Sequence, residues 1–417
     1  MIVHFIKIFI LLFISLNLYA SDDIEIKELK EQIETLSKRI DTYDLAKESR
    51  VAKQKGILEL KNFDTILSIG GRIQLDSVYA WPTGSHSAKK IPLESEGENG
   101  QLLMSARSSR FWVKTRTPSE YGPIRALIET DFYGSAGTET NTNSHGLRLR
   151  HAVIQVDNWT VGQTNSAFNA QVTLDILLTA INDTFVRQPL IRYKYYEDRT
   201  FTYDISFEQP ETTLLDPDAN IITPKDDVAP DIVARVIHYP SWGELGLSVI
   251  GRYITQDQTK LSDGTDLQNS DSAFGWGANL SAKVKVFDYD DIRFAAHYGL
   301  GLGRYLSYNA YAAGSIDPDG NIKLQPSFGG HLGYRHWWNK QLRSTLAYSY
   351  AGTKNNLEYI TDLEKVNQNV NSSQINLLWT PVKNSLIGVE YAVAKRKVES
   401  GKVGDISLVT LMMRYDF

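Results

Sequence analysis

The sequence GLRLR, which ends at Arg150, alternates leucine with arginine. Successive side chains of an extended strand point to opposite faces, so Arg148 and Arg150 share one face while Leu147 and Leu149 share the other. A guanidinium is permanently charged and offers a planar fork of donors, which binds carboxylate or phosphate in a two-pronged manner. The spacing therefore predicts a strand with one apolar face and one face that binds organic anions.

The same period of two recurs from about residue 63 to the end of the chain. In TILSIGGRIQLDSVY, for example, Ile69, Ile73 and Leu75 lie opposite Arg72 and Gln74. Tight connections such as YEDRT roughly alternate with long acidic ones such as EQPETTLLDPDANIITPKDDVAPD. A sheet in hydrocarbon must close on itself, with an apolar outside and an inside that can be wet. Residues 61–417 are therefore predicted to form an all-β, transmembrane antiparallel barrel of about 16 strands.

Parity assigns the arginines of these strands to the inward face, because an arginine facing lipid at mid-bilayer costs about 2–4 kcal/mol. Most acidic residues fall in the long connections, so the lumen is predicted to be positive although the net charge of the chain is -5. Such a field concentrates anions. The alternative for any single arginine is wall bracing by an acid or a carbonyl. The predicted pore-lining, anion-binding residues are Arg72, Arg110, Arg125, Arg148, Arg150, Arg192, Arg252, Arg293, Arg335, Arg343, Arg396 and Arg414.

A poorly alternating segment, TNSAFNAQVTLDILLTAINDTF, follows the second of the two strands that begin with LRLRHAVIQV. It is less polar than the other long connections and would be unfavourable if left in water. We expect it to fold into the barrel and narrow the pore, with Asn165, Asp175 and Asp183 as residues of this constriction loop. The alternative is a cap or a subunit contact on the outside.

The N-terminus has a different character. MIVHFIKIFILLFISLNLYA, residues 1–20, is typical of a cleaved signal peptide, the alternative being an uncleaved anchor. Within residues 21–60, apolar residues spaced three and four apart predict a short coiled-coil helix, an oligomerising arm in the periplasm. An amphipathic helix on a partner surface is the alternative. The chain contains no cysteine, which excludes disulfides and thiolate chemistry.

Two segments carry a family resemblance. SARSSRFWVKTRTPSEYGPIRALIETDFYG and LRLRHAVIQVDNWTVGQTNSAF resemble the DcaP-like trimeric outer-membrane porins. The resemblance implies a 16-stranded barrel, a trimer, and a positively charged constriction that passes small anions such as dicarboxylates. It assigns Arg110, Arg148 and Arg150 to that constriction. The sequence departs from the family at Asn165, where an aromatic residue is usual.

Together these features predict an outer-membrane porin for passive, anion-preferring diffusion of small organic anions. A plugged barrel that tethers the cell wall and a general non-selective porin are the alternatives. No enzyme is expected, because the sequence lacks a nucleophile elbow and an HExxH pattern. No catalytic residues, metal, cofactor or nucleic-acid partner are predicted. The expected partners are a homotrimer, outer-membrane lipid and lipopolysaccharide, small anionic solutes, and peptidoglycan or another periplasmic partner for the arm.

Overall fold

The computed structural model describes most of the chain after residue 57. The described residues are 58–60 (backbone only), 64–82, 91–93, 99–135, 137–138, 140–177, 183–198, 200–224, 227–257, 264, 266–267, 269–306 and 309–417. The predicted signal peptide and nearly all of the predicted arm lie outside these ranges, so both stay predictions. In the part of the chain that is described, no helix is long and apolar enough to cross a membrane.

The described residues form strands almost throughout. The first are β1 Leu58–Leu60, β2 Thr65–Trp81, β3 Gln101–Ser105, β4 Arg110–Thr117, β5 Ile124–Asp131, β6 Arg148–Val156, β7 Trp159–Asn165, β8 Arg187–Glu197, β9 Phe201–Glu208, β10 Leu214–Leu215 and β11 Ile221–Ile222. The others are β12 Asp231–His238, β13 Gly243–Gln256, β14 Asp271–Val286, β15 Asp290–Leu300, β16 Gly314–Ile316, β17 Ile322–Leu324, β18 Pro326–Trp337, β19 Leu342–Thr353, β20 Asn367–Trp379, β21 Ser385–Val398 and β22 Val403–Asp416. Among the described residues, a 3-10 turn, Gly303–Tyr305, follows β15.

The chain divides into two compact units, residues 1–68 with 116–123 and residues 69–115 with 124–417. In the smaller unit β1 pairs with the start of β2, from Leu58 opposite Leu67 to Leu60 opposite Thr65. The hydroxyl oxygens of Thr65 and Thr117 are 2.8 Å apart in this unit. All further description concerns the larger unit.

The strands close into an antiparallel barrel because the last one pairs with the first. β22 pairs with β2 from Asp416 opposite Arg72 to Ser407 opposite Trp81. The terminal Phe417 extends this pairing through reciprocal 3.0 Å backbone hydrogen bonds with Gly71. With β3 and β4 counted as one interrupted strand, and β1, β10, β11, β16 and β17 outside the ring, the barrel has 16 strands. The prediction of an antiparallel barrel of about 16 strands is confirmed.

The outward face of the barrel is apolar, as strand parity requires. In β22, for example, Val409, Leu411 and Met413 are exposed, whereas Thr410 and Met412 between them are buried. Large exposed apolar side chains occur on nearly every strand. A soluble protein of this size would not leave so much continuous apolar surface in water, and a bilayer provides the environment that such a surface needs.

Two of the long acidic connections are more ordered than the sequence predicts. Residues from the connection after β9 and the connection after β15 form a small four-stranded sheet, in the order β11, β10, β16, β17. β10 and β16 pair in parallel, which joins the two connections. Leu214, Ile254 and Ile316 are buried together in its core. We call residues 209–230 and 301–325 the cap.

Candidate functional site

The described residues of the connection between β7 and β8, 166–177 and 183–186, follow the inner wall of the barrel, and we call them the inner loop. Its backbone is hydrogen-bonded by inward side chains of distant strands. Asn279 of β14 donates to the Phe168 carbonyl at 2.9 Å, and Asn376 of β20 donates to the Asp175 carbonyl at 2.9 Å. The Leu177 amide donates to a carboxylate oxygen of β21 at 2.8 Å. Further contacts with Glu208 of β9 and Ser248 of β13 show that the inner loop lies against the wall from β9 to β21, which leaves the wall of β2 to β6 facing the lumen.

Three glycines on the inner wall make room for this loop. A Cβ atom on Gly333 would lie only 2.5 Å from Cδ2 of Leu174, so a side chain there would force the end of the Leu174 side chain to shift. The loop residues involved are spaced three apart. The contacts are Gly246 with Gln171, Gly333 with Leu174, and Gly388 with Leu177. Glycine at inward positions of these strands is thus the feature that makes space for Gln171, Leu174 and Leu177 of the loop.

Asp175 holds the middle of the inner loop. Its carboxylate accepts hydrogen bonds from Arg343 Nε at 2.7 Å and from Arg335 Nη1 at 3.0 Å. Burial alone would raise the pKa of Asp175, but the hydrogen bonds and charges of the two arginines outweigh it and hold the pKa below its usual value. Next to it, Arg293 donates to the carbonyl of Thr173 at 2.8 Å. Three of the predicted arginines, Arg293, Arg335 and Arg343, therefore donate hydrogen bonds to this loop.

The two other predicted loop residues lie at its ends. Asn165 is the last residue of β7, not a residue of the loop, and its carbonyl accepts a hydrogen bond from Arg192 Nη2 at 2.6 Å. Asp183 is buried where the loop returns to the wall, and its Oδ1 has no hydrogen-bond partner among the described residues. Burial raises the pKa of Asp183 to about 7.

The wall that faces the lumen carries a cluster of three arginines and two carboxylates, Arg110, Arg148, Arg150, Glu129 and Asp131, which we call the Arg148 cluster. Asp131 accepts from Arg148 Nε at 2.9 Å and Nη2 at 2.7 Å, and from Arg150 Nη1 at 2.7 Å. Glu129 accepts from Arg150 Nε at 2.7 Å and from Arg110 Nη1 at 3.2 Å. The cluster keeps one positive charge in excess, and the Arg148 side chain remains 45% exposed.

A β-bulge explains how two arginines of β6 meet these acids. The register with β5 shifts after Glu129, which lies opposite His151, so that the next pair includes Leu149 and leaves Arg150 as an extra residue. Leu149 and Ile154 lie on either side of the bulge. Both face outward, although one position is odd-numbered and the other even-numbered. Bulges re-aim side chains in this way beside functional sites. Here the bulge directs His151 inward as well.

Four other predicted arginines have three kinds of surroundings: a shared carboxylate, a backbone carbonyl, or no ion pair with a described residue. Arg72 and Arg414 share the carboxylate of Asp416, at 2.8 and 3.0 Å. Arg396 donates to the carbonyl of Ile91 at 3.0 Å. Arg125 is exposed on β5, and no described residue forms an ion pair with it.

Arg252 does not line an open channel, contrary to the prediction. It is 1% exposed, paired with Asp231 at 3.1 Å, and donates to the carbonyls of Gly301 and Glu211 in the cap. Its role is that of a brace beneath the cap, the alternative that parity could not exclude.

Sequence reasoning missed several groups of this site. The carboxylates that bind arginines include Asp291 and Asp204, which were not identified as inward acids, and Arg235 was not assigned although its Nη2 lies 2.6 Å from Asp204. Parity along β9 and β12 could have identified the latter pair, since these residues are direct cross-strand partners. His151 could not be found by parity, because the bulge reverses its face.

Comparison with known proteins relates this barrel to outer-membrane channels. The chain is similar in structure to the outer membrane channel DcaP of Acinetobacter baumannii, with a TM-score of 0.72 and 24% identity over 85% of this chain and 97% of that one. It shares the fold of OmpT of Vibrio cholerae, with a TM-score of 0.53 and 9% identity over 86% and 99% of the two chains. A trimer form of OmpT matches equally well, with a TM-score of 0.53 and 8% identity over 85% and 99%.

Sequence comparison gives the family itself. No curated protein sequence matches the chain significantly. The model of the family described as DcaP outer membrane protein matches residues 22–210 and 252–417, which leaves out the first hairpin of the cap, β12 and most of β13. With most of its length matched, the chain belongs to the DcaP outer membrane protein family.

Proposed function

We propose that this outer-membrane barrel gives passive, anion-preferring diffusion to small organic anions. The observation that carries the proposal is the excess of guanidiniums in three groups of ion pairs: the Arg148 cluster, the pairs around Asp175 and Asp291, and the pairs that share Asp416. In these groups, eight guanidiniums share five carboxylates. The arginines are Arg72, Arg110, Arg148, Arg150, Arg293, Arg335, Arg343 and Arg414, and the acids are Glu129, Asp131, Asp175, Asp291 and Asp416.

The arginines act as a connected positive surface rather than as isolated pairs. Arg72 lies close enough to Arg110 for their charges to interact, and Arg414 lies equally within reach of Arg343. Low-dielectric walls strengthen such a field and raise the local concentration of anions. The geometry of a guanidinium suits carboxylates, which favours organic anions, dicarboxylates among them, over the general diffusion of a non-selective porin.

The proposal extends to the assembly of the chain and to its placement in the membrane. We propose a homotrimer, with outer-membrane lipid and lipopolysaccharide around it and the arm at residues 21–60 in the periplasm. The trimer form of the structurally similar OmpT supports this assembly. Size-exclusion chromatography with light scattering in detergent tests it, with three protomers as the expected result.

Charge reversal in the Arg148 cluster tests the selectivity. In planar bilayers under a KCl gradient, Arg148→Glu with Arg150→Glu should move the reversal potential toward cation preference. Arg148→Lys with Arg150→Lys keeps the charge and should leave the sign unchanged. A reversal potential that is the same in both variants would contradict the assignment, and absence of any open current in the wild type would favour a plugged structural barrel.

A further inference from the structure

His151 lies beside the Arg148 cluster and has no role in the proposed function. Its Nδ1 lies 2.9 Å from Oγ1 of Thr164, which projects inward from the neighbouring strand β7. No described residue hydrogen-bonds to the other ring nitrogen, Nε2, and the side chain is partly exposed. Since Thr164 occupies Nδ1, the ring has one free hydrogen-bonding atom beside the arginines.

Permanent positive charges surround His151. The guanidiniums of Arg110, Arg150 and Arg187 are near enough for their charges to act on its ring. Glu129 lies directly opposite His151 but already accepts hydrogen bonds from Arg110 and Arg150. The cluster therefore places a free hydrogen-bonding ring nitrogen next to permanent cations, a combination suited to a ligand that carries both a carboxylate and an uncharged polar group.

We propose that His151, oriented by Thr164, determines specificity within the anion path by hydrogen-bonding a hydroxyl group of an organic anion whose carboxylate the arginines hold. The favoured ligands are hydroxy-carboxylates, in preference to carboxylates that lack the hydroxyl. This inference rests on the proposed anion passage and adds the substrate class. A hydrogen bond of ordinary net strength corresponds to an affinity difference of about two- to tenfold.

Two dicarboxylates that differ by one hydroxyl, malate and succinate, test the inference. The measurement is the concentration at which each reduces the chloride current of the full-length protein in a planar bilayer. For the wild type, malate should act at a concentration lower by at least about twofold. His151→Phe should bring the two concentrations together, and His151→Gln, which keeps an uncharged donor and acceptor, should restore most of the difference.

Thr164→Val should weaken the discrimination, because the imidazole loses the group that orients it. Thr160→Val, four residues before Thr164 on the same face of β7, is the matched control and should leave discrimination unchanged. Equal action of malate and succinate on the wild type, or unchanged discrimination in His151→Phe, would overturn the role of His151. The reversal potential in KCl, recorded on the same channels, reports separately on anion preference, so failure of the proposed function is distinguishable.

Discussion

Arg148 donates two parallel hydrogen bonds to Asp131, from Nε at 2.9 Å and from Nη2 at 2.7 Å, and still exposes almost half of its side chain. The carboxylate is buried and the guanidinium is not, so the pair presents a fixed, oriented positive group to the lumen. Asp131 also holds Arg150, which means that one acid positions two cations. The acids of this wall orient the arginines without cancelling them.

Removing the shared acid should strengthen the preference for anions. In Asp131→Asn, Arg148 loses its anionic partner and Arg150 keeps only Glu129, so the Arg148 cluster gains one net positive charge. The reversal potential under a KCl gradient should shift further toward that of chloride. Asp198→Asn, which makes the same change in an exposed turn after β8, is the control and should leave the reversal potential unchanged. A shift toward cation preference in Asp131→Asn would contradict this arrangement.

Asp175→Asn should remove the ion pairs that attach the inner loop to Arg335 and Arg343 of the wall. Breaking a partly buried ion pair on one side costs up to about 3 kcal/mol. Here Arg343 loses its anionic partner, and Arg335 keeps only Asp291. Single-channel recordings should show larger fluctuations of the open current at neutral pH. Because the pKa of Asp175 is lowered, its contribution is complete above the ordinary value of 3.8 and is lost as the pH falls below it. Wild-type channels as noisy as the variant at neutral pH would refute this.

The glycine contacts predict a compensating pair of substitutions. Gly333→Val should push the inner loop away from the wall and reduce single-channel conductance, because Leu174 occupies the space that the new side chain needs. Leu174→Ala in the same protein makes room and should restore conductance. If the single variant conducts like the wild type, or the double variant stays as low as the single one, the inner loop does not seat in this way.

Asp183 makes stability depend on pH. Its pKa of about 7 in the folded barrel exceeds the ordinary 3.8, so between these values the folded state binds a proton that the unfolded state has released. Stability should therefore fall as the pH rises from about 4 to 7 and level off above, by up to about 4 kcal/mol. Asp183→Asn should remove this dependence, measured as the Tm of the barrel at pH 5 and pH 8.

Asp218→Asn, in an exposed part of the cap, is the control for that experiment and should follow the wild type. An Asp183→Asn protein whose Tm falls with pH as much as that of the wild type would show that Asp183 is not the titrating group.

Much of the barrel was predictable because one rule, that lipid-facing side chains must be apolar, acts on every second residue of every strand. That rule gave the number of strands and the inward face of most arginines. It could not identify the bulge at Arg150, because the order of residues in the sequence does not show which of them has no partner on the neighbouring strand. It could not identify Arg252 as a brace, since parity separates inside from outside but not an open lumen from the space under the cap.

Other features depend on contacts between segments far apart in sequence. Leu214 pairs with Gly314, and the cap sheet exists only because those two distant connections meet. Gly333 and Leu174 are likewise distant, so neither residue alone suggests the contact. The sequence predicts an apolar inner loop, but the glycines that receive it could be recognised only once the strands were placed beside it.

The reversal potential of the purified wild-type protein across a bilayer with unequal KCl on the two sides decides whether the barrel is open and whether its arginines favour anions. We expect an open channel with a potential displaced toward the equilibrium potential of chloride. A potential of zero, or one displaced toward that of potassium, would contradict this expectation.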